Sequence, residues 1–171
     1  MSLADPSNSG SGKSTLLSVL AHRRAPAMSK DSNIKFDGMP FNGDFVRRNS
    51  AYVEQEDALI GSLTVRETLM FAAQLSLPHR TDRDKHADRV ESLLQAFGLR
   101  EQADCLIGTA IKKGISGGQK RRVSVASKLI TEPKIVFLDE PTSGLDSAAA
   151  LEVMMYLQNI ARETKVSGGA N

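Results

Sequence analysis

The stretch that most restricts this chain is residues 7–14, Ser-Asn-Ser-Gly-Ser-Gly-Lys-Ser, followed at once by Thr15 and by Leu16, Leu17 and Leu20 on one helical face. It matches G-x-x-x-x-G-K-[ST] at every required position but the first, where Ser7 stands for glycine. Such a loop feeds directly into a helix, expected here over residues 13–22. Gly10 and Gly12 let backbone N–H groups turn inward around a phosphate, and the helix adds its positive N-terminal end. Lys13 can reach the outer phosphates and Ser14 can ligate Mg²⁺, so the arrangement suits a triphosphate. A left-handed Ser7 costs roughly 1 kcal/mol, which predicts weakened binding and not a lost site. The bland alternative is a flexible Ser/Gly linker, and Gly-Lys-Ser-Thr ahead of Leu-Leu argues against it.

A phosphate loop of this type needs an acidic strand end nearby, and residues 135–140, Ile-Val-Phe-Leu-Asp-Glu, supply one. The four apolar residues are bounded by Pro133 and Asp139, as befits a parallel strand buried on both faces. At its end Asp139 would hold the Mg²⁺ shell, and Glu140 would orient or deprotonate an attacking water. Taken alone, an Asp-Glu pair closing a strand is more often a solvated strand end or a helix cap; the phosphate loop reverses that weighting.

Whether so short a chain can build the fold is a matter of composition. Its 171 residues, 40% apolar with 13 glycines, lie in the ordinary globular range and suffice for one domain or most of one. The net charge of +2 gives no argument for a nucleic acid or a charged membrane surface as partner. Cys105 stands alone and is expected to be a small buried hydrophobe, and residues 2–7 are too polar for a secretory leader, which excludes a disulfide scaffold. The longest apolar runs, residues 69–73 and 153–157, fall far below the roughly 18 residues a membrane span needs.

The remaining pattern alternates strands and helices. Short strands are expected over residues 34–37 and 50–54, with turn-prone sequence between them. Thr64 and Glu67 have the spacing of a capping box, and Val65, Leu69, Ala72 and Ala73 predict a helix to about Leu75. Pro78 breaks it; Val90, Leu93, Leu94 and Phe97 mark a second amphipathic helix closed by Gly98. Ala150, Val153, Met154, Leu157 and Ile160 mark a last one over residues 147–161, and residues 168–171 look like a loose tail. The class is α/β with a helical insertion.

Between the two candidate phosphate elements lies Ile115-Ser116-Gly117-Gly118-Gln119, which resembles the LSGGQ signature of ATP-binding cassette (ABC) proteins. Ser116, Gly117 and Gly118 at a helix start make a second anion nest, useful where a phosphate is gripped from two sides. Lys120, Arg121 and Arg122 beyond it are read as a solvated helical face and not as a nucleic-acid patch. Residues 52–55, Tyr-Val-Glu-Gln, resemble the family's Q-loop, and residues 141–146, Pro-Thr-Ser-Gly-Leu-Asp, resemble the run from Walker B into the D-loop. More narrowly, residues 52–57, 63–69 and 118–124 are similar to the G (white/pleiotropic-drug-resistance) subfamily, fungal members above all.

The resemblance spans about residues 9–163. It implies a RecA-like P-loop NTPase core, about residues 1–55 and 131–166, with an α-helical signature subdomain inserted at about 56–130. The implied cofactors are ATP and Mg²⁺. Nucleotide contacts would come from Ser9, Gly10, Ser11, Gly12, Lys13, Ser14 and Thr15, and, toward a partner cassette, from Ser116, Gly117, Gly118, Gln119 and Asp146. Ser14, Gln55 and Asp139 would serve the metal, and Glu140 and Gln55 the chemistry. The implied partners are a second cassette, identical or not, docked head to tail, and the transmembrane domain of a parent transporter at the cytoplasmic face of a membrane; no nucleic acid is implied. The implied function is ATP-driven export or flipping.

Family members begin with strands bearing an aromatic residue that stacks on adenine, and they continue into a further core strand with a switch histidine. Neither has a counterpart here, and His22, His79 and His86 read as surface or packing residues. The expectation is a cassette truncated at both ends, with an incomplete central sheet and no transmembrane part, soluble or cytoplasmic by itself. Two other readings compete. A soluble ABC ATPase of the chromosome-maintenance or translation-factor kind is disfavoured by the short Gln55–Ser116 interval and by the single cassette. A binding and dimerisation module without turnover is the other.

Overall fold

The computed structural model describes residues 12–23, 35–36, 38–40, 43–55, 57–77, 83–109 and 111–167. In chain order these form α1 (Lys13–Leu20), β1 (Lys35–Phe36), β2 (Met39–Pro40), α2 (Gly43–Asn49), β3 (Ser50–Val53), α3 (Val65–Ser76), α4 (Arg83–Ala96), a 3₁₀ turn (Arg100–Gln102), α5 (Gly117–Lys128), β4 (Ile135–Leu138) and α6 (Ser147–Ser167). Strands β1 and β2 pair antiparallel. Strands β3 and β4 pair parallel, Ser50 against Ile135 through Val53 against Leu138. A parallel pair requires a long crossover, and α3, α4 and α5 provide it. The fold is the expected α/β with a short parallel sheet.

The crossover helices pack on one another around Val65, Leu69 and Ala73 of α3, Val90, Leu93 and Leu94 of α4, and Val123, Val125 and Ala126 of α5, with Phe97 and Leu99 between them. Spacings of three and four put the α3 and α4 sets each on one helical face, whereas the α5 set lies on more than one side of its helix, and burying each large side chain stabilises by about 1.5–3 kcal/mol. The start of α3 is fixed by the expected capping box: the Glu67 N–H donates to Thr64 Oγ1 at 3.1 Å, and the Thr64 N–H donates to Glu67 Oε2 at 2.8 Å. The opposite end of the bundle is held by Arg89, which donates to the Leu129 carbonyl at 2.6 Å and the Ile130 carbonyl at 3.2 Å, just past α5. A cation at a helix C-terminus satisfies its orphan carbonyls, and burial here lowers the Arg89 pKa.

Several elements differ from the sequence expectation. Helix α2 occupies the stretch read as turn; it is too short to show a period, and Val46 is its one buried residue. Asp44 in its first turn and Arg47 and Arg48 in its last suit the helix dipole. Helix α4 begins seven positions before Val90, the start of the expected apolar face, because residues 84–88 are mostly polar and bury only His86. Helix α1 stops at Leu20, two residues early, with His22 at φ 51. Helix α6 runs to Ser167 and not 161. Cys105 is exposed, contrary to its expected burial; its residue serves through the backbone, where its carbonyl accepts from the Val65 N–H at 3.0 Å. Residues 168–171 lie outside the described residues, and among those described no helix is long and apolar enough to cross a membrane.

Candidate functional site

A cleft of about 490 Å³ opens where α1 meets the ends of β3 and β4, lined by Ser14, Ser18, Arg23, Tyr52, Glu54, Gln55 and Asp139. Gly12 sits at the N-cap of α1 in the left-handed region, φ 78 and ψ 7, with no side-chain cap. The first N–H groups of α1 therefore keep their capacity to bind an anion. The parallel pairing of β3 and β4 sets Asp139 opposite them: its N–H donates to the Val53 carbonyl at 3.1 Å, extending the ladder by one residue. The Ser14 hydroxyl donates to Asp139 Oδ1 at 2.9 Å, and the Tyr52 hydroxyl donates to Oδ2 at 3.0 Å. One carboxylate is thus held by hydroxyls from a helix start and from the neighbouring strand.

Electrostatics follow from these contacts. Burial pushes the Tyr52 phenol above its ordinary pKa, the Asp139 bond adds to that, and a Ser18 hydrogen bond opposes it. The Arg23 guanidinium lies 4.7 Å from the centre of the Tyr52 ring and pairs with Glu54, whose carboxyl its hydrogen bond holds below the usual range. Gln55 stands at the rim, its Nε2 donating to Ser143 Oγ at 3.2 Å.

The expected site residues divide into groups. Ser9, Gly10 and Ser11 lie outside the described residues, while Gly12 caps α1, Lys13 opens it, and Ser14 and Thr15 are exposed in its first turn. Ser14, Gln55 and Asp139 come together around the cleft. Glu140 follows directly, exposed and at φ 45, its carbonyl accepting from the Ser143 N–H at 3.0 Å. A non-glycine residue in that region carries strain of about 1–3 kcal/mol, a feature that recurs next to chemistry. Its side chain is not among those lining the cleft.

Ser116, Gly117, Gly118 and Gln119 also lie apart from the cleft of their own chain. The Gln119 N–H donates to Ser116 Oγ at 3.2 Å and the Ser116 N–H donates to Gln119 Oε1 at 2.8 Å, a second capping box that occupies both side chains. A Cβ on Gly118 would stand 2.8 Å from the Ala149 Cβ, so that glycine serves the close approach of α5 to α6, whereas Gly117 faces open space. Asp146 caps α6, Oδ1 accepting from the Ala149 N–H at 2.9 Å.

Sequence reasoning missed three contributors. Tyr52 was read only as part of a motif, without its contact to Asp139. Arg121 and Arg122, expected to be solvated, are 2% and 8% exposed. Arg122 Nη1 donates to the Phe97 carbonyl at 3.0 Å, and its guanidinium lies 5.2 Å from the Tyr156 ring, joining α4 to α6. Arg121 turns the other way, toward Gln55. Val123, Val125 and Ala126 immediately beyond were a usable hint that this helix is surrounded on more than one side.

Comparison with known proteins places these features. The family model described as ABC transporter matches residues 8–143. The chain is 47% identical over 154 residues to ABC transporter G family member 6 of Arabidopsis thaliana, covering 90% of this chain and 21% of that protein. It is 43% identical over 155 residues to the broad substrate specificity ATP-binding cassette transporter ABCG2 of Sus scrofa, covering 90% of this chain and 23% of that protein. It therefore spans about a fifth of the length of these curated relatives. Among solved structures, cbiO1 of Clostridium perfringens, described as part of the ABC transporter complex cbiONQ, superposes with a TM-score of 0.71 at 29% identity, over 89% of this chain and 59% of that one. The chain belongs to the ABC transporter family, as a stretch of its ATP-binding domain with G family members among its relatives.

Proposed function

We propose that the cleft binds Mg-ATP and that, in a complete transporter of the G type, ATP hydrolysis here drives transport across a membrane from its cytoplasmic face. The single observation that carries this reading is the 2.9 Å bond between Ser14 and Asp139, a helix-start hydroxyl and a strand-end carboxylate drawn from distant parts of the sequence. These hard oxygen donors fit Mg²⁺, which prefers carboxylate, hydroxyl and phosphate oxygens. When bound, Mg²⁺ supplies charge neutralisation for the outer phosphates.

The chain's own residues divide the remaining work. Gly12, Lys13 and the N–H groups opening α1 receive the phosphates, with Ser9, Gly10, Ser11 and Thr15 completing the loop. Ser14 and Asp139 would hold the metal with Gln55 beside them at the cleft rim, and Glu140 would orient or deprotonate the attacking water. Ser116, Gly117, Gly118, Gln119 and Asp146 belong to the site of a second cassette docked head to tail, which agrees with their separation from the cleft of their own chain. The transmembrane domain is the other partner.

A second reading, nucleotide binding and dimerisation without turnover by this chain alone, is favoured by Glu140 standing outside the cleft lining. Calorimetric titration of the chain with Mg-ATP, with thermal unfolding in parallel, tests both. Saturable binding is expected, with stabilisation of about 2.7 kcal/mol at a hundredfold excess over Kd, and Lys13→Ala abolishes both. Absence of saturable binding refutes the nucleotide site. Glu140→Gln then separates the two readings: it leaves binding intact and removes whatever hydrolysis the chain shows, and a chain with no hydrolysis to remove fits the second.

A further inference from the structure

We propose that Arg121 is a positioning residue for Gln55: a buried clamp that fixes Glu54, Gln55 and Asp57 against α5 and against the turn after β4. The Arg121 side chain is 2% exposed. Its Nη1 donates to the Glu54 carbonyl at 2.7 Å, to the Gln55 carbonyl at 3.3 Å and to Asp57 Oδ1 at 2.7 Å, and its Nε donates to the Pro141 carbonyl at 2.8 Å. Its Nη2 is buried without a partner among the described residues. Such an orphaned donor is costly, so stability alone is a poor reason for a guanidinium here, and geometry a better one.

The fork matters. A planar guanidinium presents several donors in fixed directions and can serve carbonyls on two segments at once. An ammonium is a single point; Lys120, one residue earlier, approaches one carbonyl, that of Gly108, at 3.4 Å. Arg121 reaches both sides of the pair that Gln55 makes with Ser143, because one arm holds the Gln55 backbone and the other holds Pro141, two residues before Ser143. It stands little more than one turn beyond Ser116, so the capped N-terminus of α5 and the Gln55 backbone share one mechanical anchor. Any rotation of α5 relative to β3 must drag Glu54, Gln55 and Asp57 or break these bonds.

The functional half of this inference rests on the assignment of the cleft to Mg-ATP, and the test separates the two. Amide hydrogen exchange of the chain without nucleotide reads the clamp directly. Arg121→Met is expected to accelerate exchange of the hydrogen-bonded Asp139, Ser143 and Leu145 amides, on either side of Pro141, by about tenfold while residues 90–97 keep their protection, and Arg121→Lys, which keeps the charge but not the fork, fails to restore it. Calorimetry then reads the consequence: Arg121→Met weakens Mg-ATP binding by about fivefold, leaves binding of ATP in EDTA unchanged, and adds nothing in a Gln55→Ala background, because residues acting as a unit are not additive. Unchanged exchange at Asp139, Ser143 and Leu145, or losses that add in the double variant, overturns the proposal. Should Arg121→Met lose its cooperative melt, Asp57→Ala releases one arm only and carries the same exchange test, with a smaller acceleration expected and none overturning the clamp. A segment that loosens in a chain that binds no Mg-ATP sinks the nucleotide assignment and leaves the clamp standing.

Discussion

The helical part of the molecule, α3 through α5, and the part around the cleft, α1 and β3 with β4, are built to different standards. The main cluster of buried apolar residues draws Val65, Leu69, Leu94, Phe97, Val123 and many more from the helices, but only Val53 from β3. Both helices that begin in described loops there, α3 and α5, carry full capping boxes, whereas α1 starts on an uncapped glycine. The cleft side is instead joined by polar contacts: Ser14 and Tyr52 on Asp139, Arg23 on Glu54, Gln55 on Ser143. The difference teaches that the part proposed to receive a charged ligand has its helix start left open to one, and the helical part is capped and packed by its own residues.

The largest expected effect breaks the helical side. Phe97 is fully buried between α4, α5 and α6, and Phe97→Ala is expected to cost about 3–5 kcal/mol in urea unfolding. Val46, buried beneath α2 on the other side, loses two methyl groups in Val46→Ala, a cost of about 1–2 kcal/mol. Equal destabilisation by the two would erase the contrast.

How far the sequence announced this arrangement depends on the range of each interaction. The capping box of Thr64, the Gly98 stop at φ 60 and the apolar strand 135–138 are local patterns, and they were legible. Asp139 was legible because a phosphate loop demands an acidic strand end. Helix α2 was not, since seven residues with a single buried side chain show no period. Nor were Arg121 and Arg122: their burial depends on carbonyls at 54, 55, 97 and 141, far away in sequence, and a run of three cations reads locally as a wet surface. Cys105 failed for the converse reason, a residue type that is usually buried set in a loop that uses only its backbone.

A smaller effect sharpens the comparison at the helix starts. Thr64→Ala removes the acceptor for the Glu67 N–H and is expected to cost about 1 kcal/mol, and Ser116→Ala a similar amount by losing the acceptor for Gln119. Thermal melts of both variants check this. A cost well below half that value in either would mean that the helix start in question is held by packing and not by its cap.

The smallest effect lies in the polar part and appears only in alkali. Tyr52 has a folded pKa above its ordinary value, through burial first and through its bond to Asp139 second. In the folded chain the phenol therefore keeps its proton to higher pH than in the unfolded chain. Its contribution to stability is complete below about pH 10, the unfolded value, and is lost as pH rises from there through the raised folded value, because the unfolded state then releases a proton that the folded state retains. The chain has 2 tyrosines, so the difference between the alkaline absorbance titrations of the parent and of Tyr52→Phe isolates this one phenol. The parent is expected to show one midpoint displaced upward, and its loss of stability above pH 10 to exceed that of Tyr52→Phe. A Tyr52 midpoint at or below the ordinary value would mean that the hydroxyl faces water and not Asp139, and the cleft would then lose one of the two bonds that orient its carboxylate.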